Sequence, residues 1–312
     1  MIRDVWSQVR PVTAQQRFLA RCGTLLVVSG LFHAVVAAVD GGPWEGPVSW
    51  RKPVVFGLSF GVLVWSAVWV RRQLPASRWG WLPVGLLGGA SVLEVALITT
   101  QRWRGVPSHF NTATGFDAFV FGGMAMCVLL VVVGVTALLV WSLIAARGAV
   151  GARIAAVVGL VGVLAAGRVG QDMISTGDAV TQATGHVPDG VVFGAAGGAK
   201  LVHAVGMHGL QVLIALVVLL ALGDLAARTK RLVMWLAAAG YAVFFASVTS
   251  TAYAGRAWTD VTTPEAVTGV AGLAAVGAGV AVAAWPLVRG RRGDAVPTGG
   301  AGVDTLAAAV VR

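Results

Sequence analysis

The sequence predicts an all-α integral membrane protein with eight transmembrane helices. Of its 312 residues, 57% are hydrophobic and 12% are charged, whereas about 25% of the residues in soluble domains are charged. The mean hydropathy is +0.82. A helix that crosses a bilayer needs about 20 mostly apolar residues. Stretches of that kind occur at roughly 18–39, 53–70, 81–101, 117–146, 154–175, 199–222, 232–252 and 265–288.

The two ends of the chain lie outside this transmembrane domain, which we place at residues 17–288. Residues 1–16 carry apolar positions at helical spacing with arginines among them, which predicts a short helix on the inner membrane surface. A frayed segment is the alternative. Arg17 and Arg21 come too late for a cleaved signal peptide, so the apolar run after them is expected to stay as the first span. Residues 289–312 are rich in Gly, Ala and Arg, which predicts a disordered tail.

Charge alternates from one connection to the next. The connections on one side, with both chain ends, hold 16 of the 23 basic residues and four of the 13 acidic ones. Since Lys and Arg near helix ends stay in the cytoplasm, we expect a multi-pass protein of the cell membrane with both termini cytoplasmic. The net charge of +10 then favours anionic lipids at the cytoplasmic face as partners. Nucleic acid is not an expected partner, because no recognition module accompanies the basic residues.

Polar residues recur at a spacing of about 150 residues, near the ends of corresponding spans. The pairs are Lys52 with Lys200, Arg104 with Arg256, and Asp117 with Glu265. Because four spans return the chain to its starting side, this spacing predicts two parallel four-helix repeats, residues 17–146 and 152–288, related by an axis along the membrane normal. Chance similarity between apolar helices is the alternative. Glycines four residues apart, Gly57 with Gly61 and Gly85 with Gly89, predict close helix packing.

Ionisable and polar residues within and beside the spans gather toward the outer side. A charged side chain in hydrocarbon costs at least about 2.5 kcal/mol to insert, so each one is a candidate for function. All five histidines lie toward this side, whereas the inner halves of the spans are almost wholly apolar. We therefore expect a polar pocket that opens only to the extracytoplasmic side.

The residue types in this set predict a chemistry. Imidazole and carboxylate groups bind zinc, iron, copper or haem iron, so haem or a divalent transition metal is the candidate cofactor. The predicted metal ligands are His33, His109, His203 and His208, and the predicted catalytic carboxylates are Glu94 and Asp172. The predicted ligand-binding residues are Lys52, Arg104, Asn111, Asp117, Arg168, Gln171, Lys200 and Gln211. A membrane-embedded metal- or haem-dependent enzyme, or a cofactor-binding protein, acting on a small or lipid-soluble ligand is the favoured function.

Two other functions stay open. The first is a proton- or cation-coupled carrier of a small solute that binds its ion through Glu94, Asp172 and Lys200; the apolar inner half opposes it, because a carrier exposes its site to both sides. The second is an accessory or sensory subunit whose polar residues hold the helices together. On a purely structural interpretation, His33 is a hydrogen-bonded core histidine, and Arg168 with Asp172 is a helix-stabilising ion pair. No Walker A, HExxH or GxSxG pattern occurs.

Overall fold

The computed structural model of the chain describes residues 2–293, and these residues form helices joined by short connections. The helices are α1 (Ile2–Val9), α2 (Ala14–Asp40), α3 (Arg51–Arg72), α4 (Trp81–Trp103), α5 (Gly115–Ala145), α6 (Val150–Thr184), α7 (Ala199–Leu222), α8 (Ala227–Tyr253) and α9 (Thr263–Gly293). A single 3₁₀ turn, Arg78–Gly80, precedes α4. Helices α2 to α9 are long and apolar enough to cross a membrane. The prediction of an all-α polytopic membrane protein with eight spans is confirmed.

Local capping chemistry sets where the helices begin and end. Thr13 begins α2, because its side chain accepts a hydrogen bond from the Gln16 backbone while the Gln16 side chain accepts one from the Thr13 backbone. Gly41 ends α2 and Gly185 ends α6, each in the left-handed conformation that glycine adopts without strain. Helix α6 therefore runs nine residues beyond the predicted end at residue 175. Of the predicted tail, residues 294–312 lie outside the described residues, and α9 extends to Gly293.

Each half of the chain packs its helices in the same order. Helices α2 with α3, and α4 with α5, form antiparallel pairs in the first half, and α6 with α7, and α8 with α9, do so in the second. The halves meet where α3 packs on α7 and where α5 packs on α6. Helix α1 lies against α3 and α7, and its Val5 and Val9 pack on the core. The ends of the spans nearest the α2–α3 and α4–α5 connections are called the outer ends, and the opposite ends the inner ends. The outer ends of α3 and α7 lie side by side.

Close approach of α2 and α3 depends on glycine. A Cβ atom built on Gly57 would lie 2.9 Å from the Cα of Gly30, and one on Gly61 would lie 3.0 Å from the Gly23 carbonyl oxygen. The prediction of close packing is confirmed at Gly57 and Gly61. It is wrong at Gly85 and Gly89, where a Cβ would meet nothing within 4 Å. The spacing alone does not distinguish a helix-packing face from a face that is open.

Candidate functional site

The turn between α4 and α5 holds a buried carboxylate, that of Asp117. Its Oδ1 accepts hydrogen bonds from Arg104 Nη1 at 2.5 Å and from Gln101 Nε2 at 2.9 Å. Its Oδ2 accepts one from the Thr114 hydroxyl at 2.6 Å, while the Asp117 backbone N–H donates to that hydroxyl at 3.1 Å. We name Gln101, Arg104, Thr114 and Asp117 the first corner. Its four groups satisfy one another, which is the arrangement of a structural support.

The turn between α8 and α9 repeats this arrangement. Glu265 accepts two hydrogen bonds from Arg256 Nη2, both at 2.5 Å, and one from the Thr262 hydroxyl at 2.7 Å. We name Thr262, Arg256 and Glu265 the second corner. In each corner the arginine stands next to a glycine with positive φ, Gly105 at +71° and Gly255 at +74°. Two of the sequence pairs, Arg104 with Arg256 and Asp117 with Glu265, thus occupy matching places.

His33 lies in an aromatic cluster below the outer end of α2. Its Nδ1 donates to the Ser29 carbonyl oxygen at 2.7 Å, and its Nε2 accepts from the Trp103 indole N–H at 3.0 Å. The Trp50 ring stacks against the imidazole with centroids 6.0 Å apart. Both ring nitrogens are therefore engaged, as the structural interpretation of His33 expects.

Arg102 lies in the last turn of α4, next to Trp103. Two neighbouring residues fix its side chain. Its guanidinium carbon lies 3.8 Å from the centre of the Trp50 ring, and its Nη2 lies 3.4 Å from Asp40 Oδ2. Asp40 in turn accepts a hydrogen bond from the Trp50 indole at 2.6 Å. The Arg102 Nε is buried and has no hydrogen-bond partner among residues 2–293. The Nε–H group is therefore fixed in position but donates to no acceptor among the described residues.

A shallow recess, too narrow to hold a water molecule, lies beneath the α2–α3 connection, between the outer ends of α3 and α4. Its lining residues are Pro47, Val48, Ser49, Lys52, Ile98, Arg102, Val106 and Ser108. The Lys52 ammonium donates to the Pro47 carbonyl oxygen at 3.0 Å, and in the described part of the chain it has no carboxylate within 4 Å. Two cations and two hydroxyls thus face one small space, and none of the eight lining residues is acidic.

The first turns of α3 and α7 bring Lys52 and Lys200 close enough for their charges to interact. Glu45 of the α2–α3 connection bridges two neighbouring cations, with Oε2 at 3.2 Å from Arg51 Nη1 and 3.6 Å from Lys200 Nζ. The Glu45 side chain is 65% exposed. The exposed Glu45 carboxylate therefore balances the charges of Arg51 and Lys200, but not the charge of Lys52.

His109 lies in the α4–α5 connection, beside the recess. Its Nδ1 is 2.9 Å from the Ser108 hydroxyl, and its ring contacts Phe56, Phe110 and Phe121. Burial, together with the nearby Lys52 cation, lowers the pKa of His109 to about 3. The imidazole is therefore neutral at physiological pH, and it adds no charge to the recess.

The remainder of this connection docks on α6. Phe110 adopts φ of +60°, and its ring occupies the space that a side chain at Gly177 would fill, with a Cβ there only 2.2 Å from the Phe110 ring. Asn111 donates to the Pro107 carbonyl oxygen at 3.1 Å and accepts from the Ala113 backbone at 3.1 Å. Asn111 shapes the turn.

On α6, Arg168 and Asp172 form the expected ion pair, with Nη2 and Oδ1 2.7 Å apart. Asp172 Oδ2 accepts from the Tyr253 hydroxyl of α8 at 2.6 Å. The Arg168 side chain is 75% exposed, and Gln171 is exposed beside it. These residues join α6 to α8 on the outside of the bundle.

The predicted residues of α7 point in different directions. His203 Nδ1 lies 2.8 Å from the Ala166 carbonyl oxygen of α6, whereas His208 is exposed. Gln211 makes a 3.1 Å hydrogen bond with Ser66 of α3 and so links the two halves.

Glu94 lies apart from all these networks. It is 1% exposed, and its Oε2 has no hydrogen-bond partner in the described structure.

The predicted site residues therefore divide into separate networks. Within residues 2–293, no group of three or more His, Cys, Asp and Glu side chains could hold a metal ion. The structure brings together Lys52 with Lys200, Arg104 with Asp117, and Arg168 with Asp172. The recess adds Ser49, Arg102 and Ser108, which are not among the predicted residues. The polar run from Gln101 to Asn111 signals two of them, whereas nothing in the sequence marks Ser49.

No protein-family model, curated protein or solved structure matches this chain.

Proposed function

We propose that the protein binds a small oxyanion, free or as a phosphate headgroup, in the recess between the α2–α3 connection and the outer ends of α3 and α4. The observation that carries this proposal is the set of donors that lines the recess: Lys52 has no carboxylate partner in the described structure, and Arg102 contacts Asp40 but leaves its Nε–H without an acceptor. Two serines complete the lining, and none of its residues is acidic. Ammonium, guanidinium and hydroxyl groups are the donors that recognise phosphate and carboxylate.

Arg102 supports the proposal through its orientation. Asp40 and Trp50 hold the guanidinium from two sides, so its planar fork is already ordered before a ligand arrives. Its buried Nε–H lacks an acceptor among the residues described, and such a donor costs roughly 1–3 kcal/mol. An oxyanion would supply the acceptor, and the order of the fork would lower the entropic cost of binding.

The recess is closed too tightly to admit a water molecule as it stands, so an anion must displace a contact. Among the described residues, the Lys52 ammonium donates only to the Pro47 carbonyl oxygen, which a charged oxygen would replace. The α2–α3 connection contains two glycines with positive φ, Gly41 at +64° and Gly46 at +98°, and glycine has more accessible backbone conformations than any other residue. The ligand is then small, and its binding requires movement of this connection.

Other predicted functions receive less support from the geometry. A metal- or haem-dependent enzyme needs converging ligands, and His33 already uses both ring nitrogens within the protein. This function stays a prediction, as does the coupled carrier. The accessory or sensory subunit is compatible with the satisfied corners, and an anion-binding sensor would combine it with the recess.

The proposal includes the orientation of the protein in the membrane and the relation between its two four-helix halves. We place the recess on the extracytoplasmic side, because the connections at the opposite ends of the spans carry most of the basic residues. A reporter active only in the cytoplasm should give signal when fused after Arg72 and none when fused after Asn111; signal from the second fusion alone would invert the orientation. The matched corners also support two parallel repeats at residues 17–146 and 152–288.

Anion titration of the purified protein tests the binding proposal. We expect phosphate or sulfate to bind wild type, and Lys52→Gln and Arg102→Gln each to weaken binding at least about tenfold, equivalent to about 1.4 kcal/mol. Arg78→Gln, which removes one exposed cation at the other end of α4, is the matched control and should leave affinity unchanged. Because His109 stays neutral with a pKa of about 3, affinity for sulfate should stay constant between about pH 5 and pH 7.

A second arm separates the two sources of the phosphate. Nanodiscs of phosphatidylcholine with phosphatidic acid should retain the acidic lipid in wild type, and not in Lys52→Gln, if a headgroup is the ligand. If free phosphate alone binds, retention will be equal in the two proteins. Affinities that are equal in wild type and both recess variants, in both arms, would refute the proposal.

A further inference from the structure

The carboxyl group of Glu94 lies in the interior of the membrane-spanning region. Glu94 follows Trp81, the first residue of α4, by 13 residues and precedes Trp103, the last, by nine. At 1.5 Å per residue it is about 20 Å from the inner end of the helix and about 14 Å from the outer end. It shares the buried stripe of α4 with Ser91 and Ile98. The side chain therefore faces the bundle core and not the lipid.

Among residues 2–293, no cation compensates this carboxyl group. Cys127 of α5 is a titratable group close enough to interact with it. On α2, Cys22 packs near Gly88 of α4, which lies about two turns from Glu94 toward the inner end. His33 of α2 accepts its hydrogen bond from Trp103 at the outer end. On α3 the charged residues are confined to the two ends of the helix. Lys52, Arg102 and the first corner all lie at the outer end of the bundle.

Ionisation of a carboxyl group in such a place is strongly unfavourable. An isolated buried charge loses its hydration without gaining a partner, and the usual outcome is that the group takes up a proton. The neutral acid needs only ordinary hydrogen bonds. Its cost on insertion is accordingly much smaller than that of a carboxylate.

We propose that Glu94 is a proton-binding site in the membrane interior, protonated in the structure described here and able to lose its proton only when movement brings water, a cation or a donor to Oε2. The site is separate from the anion recess, although Ile98, one helical turn above Glu94, lines that recess. The proton-binding proposal does not depend on anion binding.

A hydrophobic carbodiimide tests the proposal, since it reacts with a protonated carboxyl group in an apolar environment. In wild-type protein in detergent near pH 7, we expect peptide mapping by mass spectrometry to find the label at Glu94. The exposed Glu45 should carry at least about tenfold less label, because an unperturbed glutamate is almost fully ionised at that pH. Glu94→Gln should abolish the label, and the matched control Glu45→Gln should leave it unchanged.

Infrared spectroscopy provides a readout that does not depend on access of the reagent. Wild type should show the carbonyl band of a protonated carboxylic acid, shifted in deuterium oxide, and Glu94→Gln should lack it while Glu45→Gln retains it. If wild type shows neither label at Glu94 nor this band, or if Glu94→Gln retains both, the proposal is wrong. Anion titration of Glu94→Gln separates the two proposals, because its affinity for sulfate at the recess should match that of wild type.

Discussion

Replacement of Gly57 by leucine is expected to prevent the protein from accumulating in a folded form. At this position α2 and α3 are in backbone contact, and even a single Cβ atom would lie 2.9 Å from the Cα and N atoms of Gly30 and from the Leu26 carbonyl oxygen. Backbone atoms cannot rotate away, so the helices would have to separate. Overpacking in a core commonly costs about 1–3 kcal/mol, and we expect more than about 3 kcal/mol here, because the whole helix pair is displaced.

Gly89→Leu is the matched control. It places the same side chain on a membrane helix at a glycine where a Cβ would meet nothing within 4 Å. Leucine is also a better helix former than glycine by up to about 1 kcal/mol, so this variant should be as stable as wild type or slightly more stable. Expression level and size-exclusion profile in detergent measure both variants. A monodisperse Gly57→Leu protein at the wild-type level would show that α2 and α3 do not pack as described.

Loss of the Asp117 carboxylate is expected to lower the free energy of unfolding by about 3 kcal/mol. Asp117→Ala would leave three groups of the first corner without their acceptor: the Arg104 guanidinium, the Gln101 amide and the Thr114 hydroxyl. Removal of one partner from a buried ion pair costs about 3–5 kcal/mol, because the other charge stays buried without compensation. The partial exposure of Arg104, 36% of its side chain, places the expected loss at the lower end of that range.

Glu45→Ala gives the comparison for an exposed ion pair. Glu45 contacts two cations, but exposed pairs contribute only about 0–1 kcal/mol, so the unfolding midpoint should barely change. Thermal unfolding in one detergent, followed by tryptophan fluorescence, measures both variants. Equal midpoints for Asp117→Ala and Glu45→Ala would mean that the corner does not support the fold.

The eight spans were predictable because a membrane helix needs a long apolar run, and such runs are visible directly in the sequence. The ends were less predictable. Helix α6 continues through polar residues to Thr184, since nothing stops it before Gly185 adopts the left-handed conformation. Hydropathy marks where a helix leaves the apolar layer, whereas backbone conformation decides where it ends.

The contacts of the candidate site residues were predictable only where they are local in sequence. Arg168 with Asp172 followed from the i, i+4 spacing, because such neighbours meet on any helix. The partner of His33 is Trp103, 70 residues away in sequence, and no local pattern indicates which helix brings it. Arg102 was not among the predicted site residues. Two contacts make it a candidate, the unpaired Nε and the stacking on the Trp50 ring, and both depend on tertiary packing that the sequence does not show.

An anomalous-scattering experiment with selenate tests most directly whether Lys52 and Arg102 form an anion site. The account predicts that, in crystals of wild-type protein grown with selenate, a selenium peak will lie between Lys52 Nζ and Arg102 Nε, with the α2–α3 connection displaced to admit the ion. Lys52→Gln crystals should lack this peak. Selenate bound elsewhere in wild type, with the recess closed and empty at saturating concentration, would contradict the account.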